Sequence, residues 1–204
     1  PNDKPELGPP RLAHLKLHEY TSYNYLSADL FEEYFKFTFV RNPWSRTVSF
    51  YKFEGYNEIM SFKMFVRKEL PKLINEKNWF YAPQYDFIYL ENRTKIDFIG
   101  RFEDLHNDFS AVCKKLGIPF TKLPHHNKSE NGKARGKLTK QKKSIHNKPA
   151  LSLFNGRDKI NSNDYKDYYN SSLIQAVEDI YGIDIDKFNY DFESSGANGS
   201  KRDC

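Results

Sequence analysis

The most apolar strand pattern in the chain, Lys36-Phe37-Thr38-Phe39-Val40, runs straight into Arg41-Asn42-Pro43-Trp44-Ser45-Arg46-Thr47-Val48-Ser49, where the apolar spacing lengthens from that of a strand to that of a helix. Trp44, Val48 and Tyr51 recur at i, i+4 and i+7, which predicts a helix from Pro43 to about Phe53 with one buried face. Asn42 is a good N-cap, and Pro43 costs little at the first helical position because its missing N–H had no helical partner there. Ser45 and Ser49, four apart, share a different face of that helix. Upstream, Ser27 reads as the N-cap of a short helix Ala28–Phe35, with Asp29 and Glu32 in its first turns. Downstream, Phe62–Leu73 reads as a helix interrupted or ended near Pro71. Phe87–Leu90 and Ile96–Ile99 read as strands around the polar turn Glu91-Asn92-Arg93-Thr94. Two further helices, Glu103–Leu116 and Leu173–Tyr181, are each followed by a glycine, Gly117 and Gly182, in the C-terminal capping position. Strands alternating with helices predict a layered α/β arrangement around a parallel sheet, with no internal repeat.

Length and composition sharpen that picture. A chain of 204 residues is expected to form one domain with a sizeable core, preceded by an extended proline-rich lead-in over residues 1–10. A basic loop or insertion is expected at about 128–162, and a polar tail from about 193. Apolar residues make up only 38%, but aromatics reach 16%, and aromatic side chains bury enough area to offset the shortfall. No run is long and apolar enough to cross a membrane. Cys113 and Cys204 give neither a disulfide framework nor a metal-ligand spacing, and Cys113, in a helical pattern, reads as a core residue.

The net charge of +5 is concentrated in one place. Lys128–Lys148 holds eight Lys or Arg against one Glu, which leaves the remainder of the chain net acidic. A protein basic in one segment only is a poor candidate for nucleic-acid binding on charge alone, and no nucleic-acid partner is expected. The same segment contains Gly132-Lys133-Ala134-Arg135-Gly136-Lys137-Leu138-Thr139. It is not a P-loop: it has three residues between its glycines, no Ser or Thr directly after Lys137 and no strand before it. Its lysines either bind an anionic ligand such as a glycan or form a solvated loop.

The candidate chemistry lies where strands end. Arg41 stands between a strand and the N-terminus of a helix, where an arginine beside free backbone amides makes a site for phosphate or sulfate. Ser49 adds a hydroxyl eight residues later. Arg46 is placed either to help or simply to be solvated. Arg101, in Gly100-Arg101-Phe102-Glu103, repeats the arrangement: it either meets a bound anion or pairs with Glu103.

Phe39-Val40-Arg41-Asn42-Pro43-Trp44-Ser45-Arg46 and the helix after it resemble the 3′-phosphate-binding signature of the carbohydrate-type sulfotransferases, which use 3′-phosphoadenosine-5′-phosphosulfate (PAPS) as donor. Ile96-Asp97-Phe98-Ile99-Gly100-Arg101-Phe102-Glu103, Leu123-Pro124-His125-His126-Asn127-Lys128-Ser129 and Phe188-Asn189-Tyr190-Asp191-Phe192 are similar to later blocks of that family, so the resemblance runs from about residue 10 to 192. It implies a three-layer sandwich with a central parallel sheet, of the P-loop-nucleotide-hydrolase-like kind. It further implies sulfuryl transfer to a hydroxyl, such as that of a glycan, with no metal. Arg41 and Ser49 would hold the 3′-phosphate; Arg101 and Ser129, with Asn127 and Lys128 beside it, are further donor-binding candidates, and Gln84 is a weaker one.

Sulfuryl transfer needs in-line positioning, charge stabilisation and a base for the acceptor hydroxyl, and histidine suits that base. In relatives a histidine precedes the helix leading into the phosphate-binding strand. Ala13-His14-Leu15-Lys16-Leu17-His18-Glu19-Tyr20 resembles that block, with His14 the best match and His18 in reserve; if the segment is helical, both lie on one face. Family members also open with a strand and a loop of the form P-K-[TS]-[AG]-[GS]-[TS] that holds the 5′-phosphosulfate. These 204 residues contain no such loop. The resemblance therefore implies either part of a longer protein or a relative that binds nucleotide without transferring sulfate. A polyanion-binding protein using Lys128–Lys148 is the other alternative.

Overall fold

The computed structural model describes residues 14–123, 160 and 162–193. Two strands among them, β1 (Phe37–Val40) and β2 (Phe98–Arg101), pair in parallel with Phe37 opposite Phe98 and Val40 opposite Arg101. Around them, in chain order, stand α1 (Glu19–Ser22), α2 (Ala28–Glu33), α3 (Pro43–Phe53), α4 (Phe62–Met64), α5 (Leu70–Asn75), α6 (Tyr85–Ile88), α7 (Leu105–Leu116) and α8 (Ser171–Phe188). The architecture is mixed α/β with a small parallel sheet, as the alternation of patterns predicts; the described residues supply two strands of it. The register brings both strands to the same end, so Arg41 and Phe102 leave the sheet side by side. The Phe39 ring can lie across residue 100 of the neighbouring strand because that residue is glycine: a Cβ there would lie 2.6 Å from the ring.

Helix α3 is the central element. Asn42 Oδ1 accepts from the N–H groups of Trp44 and Ser45, and Pro43 occupies the first turn, so the predicted cap forms. Trp44, Val48 and Tyr51 are all buried, at 1%, 5% and 1% exposure. They pack into one aromatic-rich cluster with Phe62, Phe65 and Val66 from the α4–α5 region and Leu173, Val177 and Tyr181 from α8. Ser27 caps α2 through Leu30 N–H, and Gly117 closes α7 in the left-handed region at φ 67°. Cys113 is buried in α7 as expected.

The helix expected over Ala28–Phe35 stops at Glu33 and the one expected from Glu103 begins at Leu105, and four further boundaries differ for tertiary reasons. Phe87–Leu90 is not a strand: residues Tyr85–Ile88 form α6, whose first N–H groups are capped by the carboxylate of Asp184, far along the chain. A tight turn does follow, with Leu90 bridged to Arg93 and Glu91 and Asn92 at positive φ. The second strand lies two residues later than Ile96–Ile99, because Asp97 is taken up by Lys36, whose backbone N–H and carbonyl it meets. The helix beginning at Phe62 continues past Pro71 to Asn75. A π-helical turn over Phe65–Glu69 precedes the proline and loosens the ladder at the carbonyl of Arg67, the one a proline ring would strike. Finally, α8 does not stop at Gly182. It bends at Tyr181 (φ −115°, ψ 23°) and runs on to Phe188, because Asp184 and Phe188 are both buried, and Asn189 caps it at φ 49°.

Candidate active site

Beyond Val40 the strand ladder ends, and two side chains take over the backbone of the next two residues. Gln84 locks Arg41 at two points: Arg41 N–H donates to Gln84 Oε1 at 2.8 Å, and Gln84 Nε2 donates to the Arg41 carbonyl at 2.9 Å. Asn42 N–H donates to Glu103 Oε1 at 2.7 Å. With the backbone so held, the Arg41 guanidinium donates from Nε (3.1 Å) and Nη2 (2.9 Å) to Ser45 Oγ. It lies over the half-exposed ring of Phe102, 4.6 Å from its centroid. Burial lowers the pKa of Arg41, and the neighbouring Glu103 carboxylate works against that.

This geometry corrects one element of the anion-site argument. The backbone amides at the start of α3 are not free: Trp44 and Ser45 donate to Asn42 Oδ1, Arg46 to the Asn42 carbonyl, and Asn42 itself to Glu103. An anion at this strand end would meet side chains instead. The hydroxyl that Arg41 touches is Ser45, one helical turn before Ser49. Ser45, Ser49 and Lys52 follow one another along a single face of α3, so Arg41 and Lys52 bracket two hydroxyls. Lys52 Nζ donates to the Ser162 carbonyl at 2.6 Å and lies over the Tyr168 ring. Its pKa is lowered by burial first and by the charge of Arg41 second. Two cations that repel each other across a pair of hydroxyls would be relieved by an anion between them.

The other candidates fall in different places. Arg46 is neither solvated nor aimed outward. It donates to the carbonyls of Ala82 (3.0 Å) and Phe80 (3.4 Å), lies over Phe50 and Tyr181, and approaches Asp184 to 3.9 Å. Arg101 donates from Nη2 to the Phe188 carbonyl at 2.6 Å and lies over the Tyr190 ring. Glu103, offered as its alternative partner, accepts from Asn42 N–H and Tyr190 OH. His14 stacks on Trp79 with ring centroids 4.0 Å apart. No helix joins His14 to His18: α1 begins only at Glu19, and Leu17 N–H is spent on the Phe87 carbonyl. Ser129, with Asn127, Lys128 and the basic segment, lies outside the described residues.

A groove of about 560 Å³ runs along β1. Phe37, Thr38 and Phe39 line it consecutively while no residue of β2 does, which puts it on the side of β1 away from β2. Lys36, Thr38, Arg46 and Gln84 are among its polar members, and Leu15 brings the His14 segment to its wall. Sequence reasoning missed Phe102 and Glu103 as partners of Arg41 and Asn42, although both stand in the Gly100–Glu103 block it had singled out.

A parallel strand pair opening on a strand–turn–helix arginine, beside a groove, defines a mixed α/β domain. The comparisons with known proteins narrow that class. The Sulfotransferase family model matches residues 9–191, and the chain belongs to that family. The chemistry of that family is, in general, transfer of a sulfuryl group from a sulfate donor to a hydroxyl-bearing acceptor. An uncharacterized protein of Archaeoglobus fulgidus is 36% identical over 103 residues, covering 47% of this chain and 78% of that protein. No solved structure matches the chain. Among the described residues no cluster of His, Cys, Asp or Glu could hold a metal ion, and no helix is long and apolar enough to cross a membrane.

Proposed function

We propose that the chain serves PAPS-dependent sulfuryl transfer to a hydroxyl, that of a carbohydrate in the first instance, with Arg41 and Ser49 holding the donor's 3′-phosphate. The observation that carries this is the guanidinium of Arg41, fixed at the end of β1 against Ser45 and Phe102. A 3′-phosphate drawn in from the open side would meet Arg41 and the hydroxyls of Ser45 and Ser49 on one face of α3, the charge-assisted donors such a group requires. The 5′-phosphosulfate needs a second set of ligands, and this reading seats it in the groove beside β1, where a further parallel strand would pair.

In the reaction the acceptor oxygen attacks sulfur in line, the bond from sulfur to the bridging phosphate oxygen breaks, and the acceptor proton leaves to a base. His14 is proposed as that base. Its stacking on Trp79 would hold the imidazole in one orientation.

The test is calorimetric titration with adenosine 3′,5′-bisphosphate, with adenosine 5′-phosphate as the control that lacks the 3′ group. Arg41→Ala is expected to weaken the bisphosphate by about 10- to 100-fold, the worth of hydrogen bonds to a charged group, and to leave the 5′-phosphate nearly unchanged. Equal weakening of both ligands would remove Arg41 from the 3′-phosphate. Binding to sulfated polymers that is steeply salt-dependent and survives Arg41→Ala, with no bisphosphate binding, would favour a polyanion-binding role for Lys128–Lys148.

A further inference from the structure

We infer that Gln84, held in turn by Asp184, is a positioning residue for the donor site: it fixes the main chain from which Arg41 reaches the 3′-phosphate. The inference rests on the donor-site reading above and gives Gln84 a role exerted through the Arg41 main chain rather than through contact with the 3′-phosphate.

The argument begins where β1 stops pairing. Val40 is the last residue of β1 matched to β2, so the N–H and carbonyl of Arg41 lie beyond the ladder. Peptide groups in a partly buried turn need partners, or the turn takes up another conformation that finds them. The primary amide of Gln84 supplies both partners at once, donor to the carbonyl and acceptor from the N–H, as a neighbouring peptide group would. Its orientation is not left to chance. Asp184 Oδ2 accepts from Gln84 N–H at 2.8 Å and from Gln84 Nε2 at 3.4 Å, while Oδ1 accepts from Tyr85 N–H at 2.8 Å. An acceptor at Nε2 settles which end of the amide is nitrogen, and therefore which end meets the Arg41 N–H.

The anchor is itself immobile. Asp184 is fully buried on α8, and Arg46 lies across it from α3. One chain of contacts thus runs from α8 through Gln84 to the strand end that carries the arginine. Arginine binds phosphate through a rigid fork, so a shift of its Cα by a fraction of an ångström misaims both N–H groups. Losing Gln84 should therefore act on the 3′-phosphate specifically, through Arg41.

Gln84→Leu, close in volume but unable to bond either group, is the variant to make, with Gln84→Glu beside it. The glutamate keeps an acceptor for the Arg41 N–H and loses the donor to its carbonyl. Each is titrated with adenosine 3′,5′-bisphosphate in the native and the Arg41→Ala backgrounds. The expected result is about a 10-fold loss for Gln84→Leu in the native background and less than about 2-fold when Arg41 is already absent, since two residues acting through one contact are not additive. An equal loss in both backgrounds, or none in the native one, overturns the inference. Amide hydrogen exchange at Arg41 gives a readout that needs no ligand: it should quicken in Gln84→Leu while exchange within α3 and α8 stays as it was. Unchanged exchange at Arg41 also overturns the inference, and general quickening shows a fold defect rather than a positioning role and counts against it. If the native chain binds no bisphosphate, the donor-site reading fails, and the exchange result alone decides whether Gln84 governs the turn.

Discussion

Asp184→Ala is expected to lower the unfolding free energy by about 3–5 kcal/mol, the largest loss of any single charge removal in the described residues. The carboxylate is fully buried, and each oxygen is committed. Removing it strips the N–H groups of Gln84 and Tyr85 of their acceptor and leaves Arg46, 3.9 Å away, without its counter-charge. Each orphaned buried N–H costs about 1–3 kcal/mol on its own, and a buried cation without its partner costs more. Arg46 keeps its bonds to Ala82 and Phe80 and its place over the Phe50 and Tyr181 rings, which holds the total below a simple sum. Urea unfolding followed by tryptophan fluorescence measures the loss. A change under about 1 kcal/mol would mean that solvent reaches this carboxylate in the native state.

The same residue gives a pH dependence of defined sign. Burial holds the Asp184 carboxyl above the ordinary carboxylate range, outweighing the N–H groups of Tyr85 and Gln84 and the charge of Arg46 that pull it down. A group whose folded pKa is raised binds its proton more tightly in the folded state. Its contribution to stability is therefore fully present below the unfolded value and lost as pH rises through the folded one. The stability difference between the native chain and Asp184→Asn, which cannot titrate, should accordingly shift in favour of the native chain as pH falls from 7 towards 4. A shift the other way would show that the hydrogen bonds outweigh burial.

What the sequence reveals here is what local physics decides. The cap at Asn42, the proline after it and the buried positions Trp44, Val48 and Tyr51 of α3 all lie within ten residues of one another, and all are found where the pattern puts them. Gly117 ends α7 for the same reason: a left-handed residue after an amphipathic run needs no distant partner. The apolar run Phe87–Leu90 fits strand and helix equally well, and Asp184 decides it from almost a hundred residues away. Gly182 looks like a terminus until the burial of Phe188 draws the helix onward. The site divides along the same line. Arg41 is legible because a strand, a turn and a cap surround it in sequence. The claim of Glu103 on the Asn42 amide and the two-point hold of Gln84 on Arg41 join residues 61 and 43 apart, and no periodicity in a single chain announces them. Ser45 lay in view as the partner of Ser49 on one helix face; only its spacing of four from Arg41 hinted that the guanidinium would turn back onto it.

Trp44→Ala should destabilise the fold by about 3–5 kcal/mol, the range for truncating a large buried aromatic. Trp44 is 1% exposed and joins α3 to two other segments at once. Its indole N–H donates to the Ile174 carbonyl on α8 at 3.2 Å, its ring meets Phe192 edge to face, and its own carbonyl accepts from Tyr169 OH at 2.9 Å. Alanine keeps the carbonyl but opens a cavity between α3 and α8 and leaves the Ile174 oxygen without the indole. Trp44→Phe separates these two costs: it fills most of the volume and loses the hydrogen bond, and it should cost about 1–2 kcal/mol. If the two variants lose the same stability, the hydrogen bond and not the packing holds the helices together; a loss near zero for both would place Trp44 outside the core. Because α3 begins two residues after Arg41, loosening its first turn should also weaken adenosine 3′,5′-bisphosphate in proportion to the fraction unfolded, whereas Gln84→Leu acts on a chain that remains folded. The ratio of lost affinity to lost stability therefore distinguishes a residue that builds the fold from one that aims the arginine.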